Sequence, residues 1–480
     1  MNRIIIETLG CRLNQIESES LARFFIDDGF DVSMGGTTAK TASDENVCAA
    51  LINTCTVTQK SEQKARRLIR LLIKKYPNAV IIVTGCYAQL AESEISQMDS
   101  RICVIGGQIK SRISQVPQIL LSFESYADFS VNPWNSCKVV EALNKEIVTP
   151  PVEKKGVAEH SFKLAATSFL AHSRASLKIQ DGCNNNCSFC AIHIARGKSV
   201  SIDASTALER VKFLEEQGYE EVVITAVNIA QYKSEYNGQP CNFSRLLEIL
   251  LNGTSRISFR ISSLYPEAVD DDFCRLIATE RVRPHFHISV QSGSNRVLSL
   301  MNRIYKAEDV FNAVQKIRAA KKNPFVACDI ITGFPGETDD DFNQTVELCK
   351  KCGFVWIHAF PFSERPGTLA CTLKNKVPQS VSGERASRLL ELAAASKISY
   401  INLFAGQELN AVLETVRRPA AVIAKDAFVY HAVTDNFIHC EVISDKMLET
   451  GKCVCLKIQK PLEDRILKGG ETEASAVFVK

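Results

Sequence analysis

Three cysteines stand at Cys183, Cys187 and Cys190 in DGCNNNCSFC, directly after the apolar run SLKIQ. Asn184, Asn185, Asn186 and Ser188 fill most of the spacers, so the segment reads as a tight polar loop. A loop of this spacing can bring three thiolates to one iron–sulfur cluster, and a 4Fe–4S cluster normally takes four. Three ligands leave one iron with an open position, which is how a metal centre becomes catalytic and not merely structural. Two plainer readings stay open at this point: a zinc loop completed by His193, and a coincidence of spacing.

A second set is scattered near the N-terminus: Cys11 in TLGCRLNQIE, Cys55 in INTCTVT and Cys86 in VTGCYAQ. Each ends an apolar, strand-like run. If those strands are parallel, their C-terminal ends lie along one edge, where three distant thiols can converge. Buried thiols are common, so the placement carries the signal and the residue type does not. Cys48 and Cys103 lack a matching context, while Cys274, Cys328 and Cys349 fall in apolar patterns and read as core filling.

The elements that must position these residues divide the chain. Residues 1–136 alternate strand and helix, with a helix expected from Glu17 to Asp28 and another carrying Ala65, Leu68, Ile69, Leu72 and Tyr76 before Pro77-Asn78. That alternation predicts a parallel α/β domain. Residues 137–172 lose periodicity and read as a linker. From 173 to 400 the strand candidates SLKIQ, EEVVITAV, RISFRISSL, PHFHISVQ, FVACDIITGF and FVWIHAFPF alternate with helical stripes. Six such units suit a partial (β/α) barrel with its chemistry at the strands' C-terminal ends. Residues 404–468 hold short alternating runs, with Asp435-Asn436 as a two-residue hairpin turn, and 469–480 hold a last strand or tail. Five short antiparallel strands suggest a small closed barrel of OB type, a frequent oligonucleotide-binding design. From Phe404 to Lys480 there are ten Lys/Arg and eleven Asp/Glu, so this module is not itself basic.

At 480 residues the chain is too long for one core, and a formal charge of +3 neither demands nor excludes a nucleic-acid partner. Its eighteen cysteines bear on compartment. MNRIIIETLG reads as a strand and not as a secretory leader, and no apolar run reaches membrane-spanning length. A reducing, cytoplasmic setting follows, where clustered cysteines are metal ligands or nucleophiles more often than disulfides.

CxxxCxxC after the first strand of a βα barrel resembles the radical S-adenosylmethionine (SAM) superfamily. The words around Cys11, Cys55 and Cys86 resemble the N-terminal domain of methylthiotransferases, and the likeness extends to FRISSLYPE, PHFHISVQSGS, DIITGFPGET and FPFSERPGT. The C-terminal strands resemble the RNA-binding TRAM domain appended to that family. The resemblance implies a radical 4Fe–4S cluster on Cys183, Cys187 and Cys190, whose open iron chelates SAM and whose electron cleaves it to a 5′-deoxyadenosyl radical. It implies an auxiliary 4Fe–4S cluster on Cys11, Cys55 and Cys86 that carries the sulfur. GCRLNQIE with NTCTVT resembles the branch that methylthiolates N6-threonylcarbamoyladenosine (t6A) beside the tRNA anticodon. It is less similar to the isopentenyladenosine branch, or to the one acting on a ribosomal-protein aspartate.

Further contacts follow from the same resemblance. Phe189 matches the family's aromatic beside the adenine of SAM, and packing is the plainer role. Asn228 is a SAM contact in TAVNIAQY, where Ala226 and Ala230 replace the family's usual glycines. Gln291 and Ser292 are candidate hydrogen-bond partners of SAM, with helix capping as the alternative. Asp329 is assigned to its ribose or methionine end and Arg365 to its carboxylate. Gly333, Pro335 and Gly336 give the loop close approach, or simply a turn. Lys60, Lys64, Arg66, Arg67, Arg70, Lys74 and Lys75 face Glu62 alone, and of these Arg66, Arg67 and Arg70 are the candidate tRNA contacts, against the reading of a solvated helix face. The expected activity is methylthio transfer to adenine C2 of t6A, with SAM consumed twice. A flavodoxin- or ferredoxin-like electron donor and an unidentified sulfur donor are expected partners. The rivals are methylthiolation of a ribosomal aspartate and a non-catalytic iron–sulfur redox or sensor protein.

Overall fold

The structure is a computed structural model that describes residues 3–125, 135–150, 161–166, 169, 173–417 and 428–479. The chain packs into two units. One comprises the described residues of Met1–Ala171 with Gln180–Ile202 and Ser363–Cys371; the other comprises those of His172–Ile179, Asp203–Phe362 and Thr372–Lys480.

The first unit is built on β1 (Arg3–Thr8), β2 (Asp31–Met34), β3 (Val47–Thr54), β4 (Val80–Gly85) and β5 (Ile102–Gly106), an all-parallel sheet in the order β2-β1-β3-β4-β5. Successive side chains of a strand point to opposite faces, and the core divides accordingly. Ile4, Ile6, Ala49, Leu51, Val80 and Ile82 enter one cluster, while Ile5, Ala50, Ile52, Ile81 and Val83 enter the other. Three helices follow these strands: α1 (Arg12–Asp27), α2 (Gln59–Lys75) and α3 (Cys86–Leu90).

Helix α1 begins at Arg12, five residues before the expected start at Glu17. The turn that precedes the expected start buries Leu13, Asn14 and Ile16, so polar Asn14 is an interior residue of the helix, as are Glu17, Ser18, Glu19 and Ser20 after it. The expected linker also begins as structure. Ser136–Leu143 is a helix capped by the Asn135 side chain, and Val139, Val140, Leu143 and Ile147 join the first of the two cores. Eight residues are too few to display a helical period. Within that expected linker, 151–160, 167–168 and 170–172 lie outside the described residues.

In the second unit the sequence-expected strands appear as β6 (Ala175–Asp181), β8 (Glu221–Ala226), β11 (Ser258–Ile261), β12 (Ser263–Leu264), β13 (His285–Gln291), β14 (Phe325–Thr332) and β15 (Trp356–Pro361). The last two residues of β6 belong to the first unit, where they pair antiparallel with β7 (Val200–Ser201). A short hairpin of β9 (Ser234–Tyr236) and β10 (Gln239–Cys241) lies between. β8 pairs in parallel with β11, and β12, β13, β14 and β15 pair in parallel in sequence order, the arrangement of a partial (β/α) barrel.

The unit ends in a closed five-stranded barrel of β16 (Glu408–Arg417), β17 (Phe428–Thr434), β18 (His439–Ser444), β19 (Cys453–Pro461) and β20 (Ala474–Phe478). The expectation of five antiparallel strands needs one correction, because β18 and β20 pair in parallel. The stretch 469–480 therefore supplies a closing strand. Asp435-Asn436 is half of a longer turn, in which Phe437 takes φ +67° and the Ile438 N–H donates to Thr434 Oγ1. Buried Glu221 anchors this region: it pairs with Arg174, Arg260 and Arg283, and Arg174 and Arg283 also pair with Glu414 and Asp435.

Candidate functional site

Cys11, Cys55 and Cys86 each lie one residue past the end of a strand or of its connecting turn, and those strands, β1, β3 and β4, are neighbours in the sheet. Cys11 occupies the N-cap of α1 in an extended conformation, Cys55 follows β3 directly, and Cys86 opens α3. Cys55 and Cys86 are buried and Cys11 is exposed. Gly10 makes the approach possible: at φ +108° it packs so closely on Cys55 that a Cβ there would stand 2.8 Å from the Cys55 sulfur. Burial pushes the Cys55 thiol up to about 11, and neighbouring Cys11 and Cys86 push it the same way. Burial likewise raises Cys86.

Cys183, Cys187 and Cys190 lie in the loop after β6, within the same unit. Gly182 is held at φ +68°, and a Cβ there would lie 2.1 Å from the Lys198 carbonyl oxygen. The Asn185 and Ile192 N–H groups each point at a cysteine sulfur, those of Cys183 and Cys190, at 3.4 Å. Such N–H···S contacts are among the features that tune iron–sulfur clusters. Nδ1 of His193 is buried with no hydrogen-bond partner among the described residues.

Both sets fit the groups the sequence implies. Their donors are thiols throughout, three to a set, and all eighteen cysteines are free of disulfides. Among the described residues no three His, Cys, Asp or Glu side chains close on the position of a single ion, which the zinc reading with His193 requires. A four-iron cluster takes its cysteines on separate corners and needs them spread around it. Cys48, Cys103, Cys328 and Cys349 are buried as expected of core residues, whereas Cys274 is half-buried.

The residues assigned to SAM divide between the units. Phe189 and Arg365 belong to the first; Asn228, Gln291, Ser292, Asp329 and Gly333 belong to the second. Phe189 is half-buried. The Arg365 guanidinium is committed to Glu62 Oε1 at 2.6 Å, the Thr56 carbonyl at 3.3 Å and Ser363 Oγ at 2.8 Å. It thus braces the loop that follows Cys55. From the same segment the Ala370 N–H donates to the Ser188 carbonyl between Cys187 and Cys190. In the second unit Asn228 caps the turn after β8, accepting from the Ala230 N–H, and Gln291 ends β13 at φ +69°. Ser292 is wholly buried and accepts from the Ser294 N–H. Asp329 pairs with His287 at 2.9 Å, an imidazole that holds its carboxyl below the usual range against the opposing push of burial. Gly333 takes φ +71°, and a Cβ there would meet Ser382 Oγ at 1.8 Å, so packing alone demands glycine.

On α2 the buried stripe is Ala65, Ile69 and Leu72, with Thr58 capping the helix. Arg67 and Arg70 are exposed, whereas Arg66 donates to Tyr87 Oη at 3.0 Å and pairs with Glu94.

Two features escaped the sequence reading. In the second unit His285, His287, His358 and His439 line one cavity of about 350 Å³ with Phe325, Trp356 and Phe437, and burial pushes His285, His358 and His439 down, so they are neutral near pH 7. His285 and His287 alternate on β13, but His358 and His439 come from β15 and β18, and no sequence spacing joins them to that pair. The other is Arg196, whose side chain is only 7% exposed beside the N-terminal cysteines.

Comparison with known proteins places this geometry. Residues 177–349 match the Radical SAM superfamily, and residues 3–107 match Uncharacterized protein family UPF0004. The chain is 43% identical over 449 residues to the threonylcarbamoyladenosine tRNA methylthiotransferase MtaB of Treponema pallidum (strain Nichols), covering 86% of this chain and 91% of that protein. It is 32% identical over 464 residues to the protein of the same name from Bacillus subtilis (strain 168), covering 96% and 94%. Among solved structures, the radical SAM methyltransferase TsrM of Kitasatospora setae, with cobalamin and a 4Fe–4S cluster bound, matches with a TM-score of 0.50 and 13% identity over 77% of each chain, a likeness of fold.

Proposed function

Because the chain belongs to the radical SAM threonylcarbamoyladenosine tRNA methylthiotransferase family, we propose that it adds a methylthio group to C2 of N6-threonylcarbamoyladenosine next to the anticodon of tRNA. The observation that carries this reading is 43% identity over most of both chains with a protein of that name. Two all-thiol sets within one unit support it further. A sensor or electron carrier has no need of a cysteine set that stops at three.

Cys183, Cys187 and Cys190 would hold the cluster that binds SAM, and Cys11, Cys55 and Cys86 the auxiliary one. Bound there, iron–sulfur clusters and SAM supply one-electron chemistry and a transferable sulfur, which a C–H bond without an acidic proton or leaving group requires and no side chain provides. The protein's own part is placement. Gly10 and Gly182 let each loop turn back on its neighbours, and the buried sheet edge keeps water from Cys55 and Cys86. Because burial keeps these thiols protonated, loading metal there releases protons and should be favoured by rising pH. Exposed Arg67 and Arg70 would meet tRNA phosphates, and the C-terminal barrel would act as a TRAM-like RNA module. No helix among the described residues is long and apolar enough to cross a membrane. A cytoplasmic enzyme fed by a flavodoxin- or ferredoxin-like reductant completes the reading.

Nucleoside mass spectrometry of tRNA from cells with and without the gene tests it. The 2-methylthio derivative of t6A should vanish in the deletion and return on complementation. An unchanged tRNA profile, with a methylthio group lost from a ribosomal aspartate, would transfer the activity to the protein-modifying branch.

A further inference from the structure

Between the two cysteine sets lies a buried polar network centred on Arg196. Its Nη1 donates to Glu17 Oε1 at 3.0 Å and to Asp181 Oδ1 at 2.9 Å, and its Nη2 to Asn14 Oδ1 at 2.8 Å. Asp181 also accepts from the Gly182 N–H, one residue before Cys183. Asn14 in turn donates to the carbonyls of Leu9 and Thr54, the residues that lead into the Gly10–Cys11 turn and Cys55. Thr54 Oγ1 donates to the Thr84 carbonyl, two residues before Cys86, and accepts from the Ala88 N–H just after it. Lys110 closes the network on Glu17 Oε2 at 2.6 Å and Asn53 Oδ1 at 3.0 Å. A single guanidinium therefore reaches the backbone around every N-terminal cysteine and the start of the other cysteine loop, directly or through one or two partners.

The charges are as telling as the bonds. Arg196 and Lys110 face Glu17 and Asp181, so the network as a whole is balanced. Arg196 is the member of that network whose fork spans both sides, donating to Asp181 on one and to Asn14 and Glu17 on the other. Planar guanidinium forks suit such multidentate, fixed placement better than an ammonium does.

We propose that Arg196 is a positioning residue that couples the two metal centres: its fork locks the Cys183–Cys190 loop to the Cys11–Cys55–Cys86 edge and so sets the separation of the two centres. The proposal rests on the two-cluster reading above.

The test is a redox titration, monitored by electron paramagnetic resonance, of the anaerobically reconstituted full chain, alongside iron content. Arg196→Gln should keep both sets of irons but alter the magnetic interaction between the two reduced centres, because glutamine cannot bridge Asp181, Glu17 and Asn14 at once. Arg196→Lys, which keeps the charge but not the fork, should recover little of the interaction. If Arg196→Gln does not fold, Asn14→Ala, which cuts only the link from the fork to the Leu9 and Thr54 carbonyls, should alter the interaction as well. A fully loaded Gln variant with the wild-type interaction would overturn the proposal and leave Arg196 a structural pin. Wild-type protein holding only about four irons would instead overturn the two-cluster reading, and the proposal with it.

Discussion

Gly10 and Gly182 do the same work at the two cysteine sets, each turning the chain at positive φ just before a thiol proposed to bind metal. The consequences of filling them differ. A methyl at Gly10 would press on the Cys55 side chain, which a four-iron centre needs in place; a methyl at Gly182 would press on the Lys198 carbonyl, which belongs to the backbone and cannot swing away. Both substitutions put alanine at positive φ, a strain of about 1–3 kcal/mol, so both should lower the melting temperature. Gly10→Ala should in addition lose about half of the bound iron, and Gly182→Ala, which meets fixed backbone, should melt earlier still and lose iron too. Iron analysis and thermal melts of the two variants decide this, and equal iron in Gly10→Ala and wild type would contradict the role given to that turn. Arg365, which its place in SERPGT assigns to a SAM carboxylate, donates through its two terminal nitrogens to Glu62, Thr56 and Ser363, while its buried Nε has no hydrogen-bond partner among the described residues.

Helix α2 is the element whose exposed face has no structural task of its own. Ala65, Ile69 and Leu72 bury one side, and Lys60, Lys64, Arg67, Arg70 and Lys74 remain exposed. If that face meets tRNA phosphates, replacing Arg67 and Arg70 together should flatten the salt dependence of tRNA binding by about one unit of log–log slope per lost contact. Arg66 should contribute less to the slope and more to stability, since it is held by Tyr87 and Glu94. An unchanged slope in the double variant, measured between low and moderate salt, would return α2 to a solvated face. At this scale much was legible. β1, β3, β4 and the main strands of the barrel announced themselves as apolar runs, because strands covered on two faces have no polar alternation to dilute the signal, whereas the edge strands β2 and β5 were not picked out. The start of α1 was hidden by its buried Asn14, a polar residue that meets Arg196 and the Leu9 and Thr54 carbonyls rather than solvent. The helix Ser136–Leu143 was hidden by its brevity, and the parallel pairing of β18 with β20 because register between distant strands is not written in either one.

Across the whole molecule, spacing and context single out the six cysteines as candidates, while the packing that puts both sets in one unit was not legible. The sequence divides the chain at 136 and 173, whereas the contacts assign Gln180–Ile202 and Ser363–Cys371 to the unit of the N-terminal sheet. Long-range partners such as Arg196 with Glu17, or Ala370 with Ser188, link segments that no local pattern connects. On the function proposed above, the two cysteine sets serve two centres with separate tasks. Metal ligands act as a unit, so removing a set removes one task whole. The most direct measurement is a paired assay of 5′-deoxyadenosine and methylthiolated nucleoside in the Cys11→Ala, Cys55→Ala, Cys86→Ala triple variant, supplied with SAM, reductant and tRNA. It should still form 5′-deoxyadenosine and make no methylthio product, while the Cys183→Ala, Cys187→Ala, Cys190→Ala variant should form neither. Methylthiolated nucleoside from the first variant would contradict the account, because sulfur would then reach adenine without the edge of the sheet that is assigned to carry it.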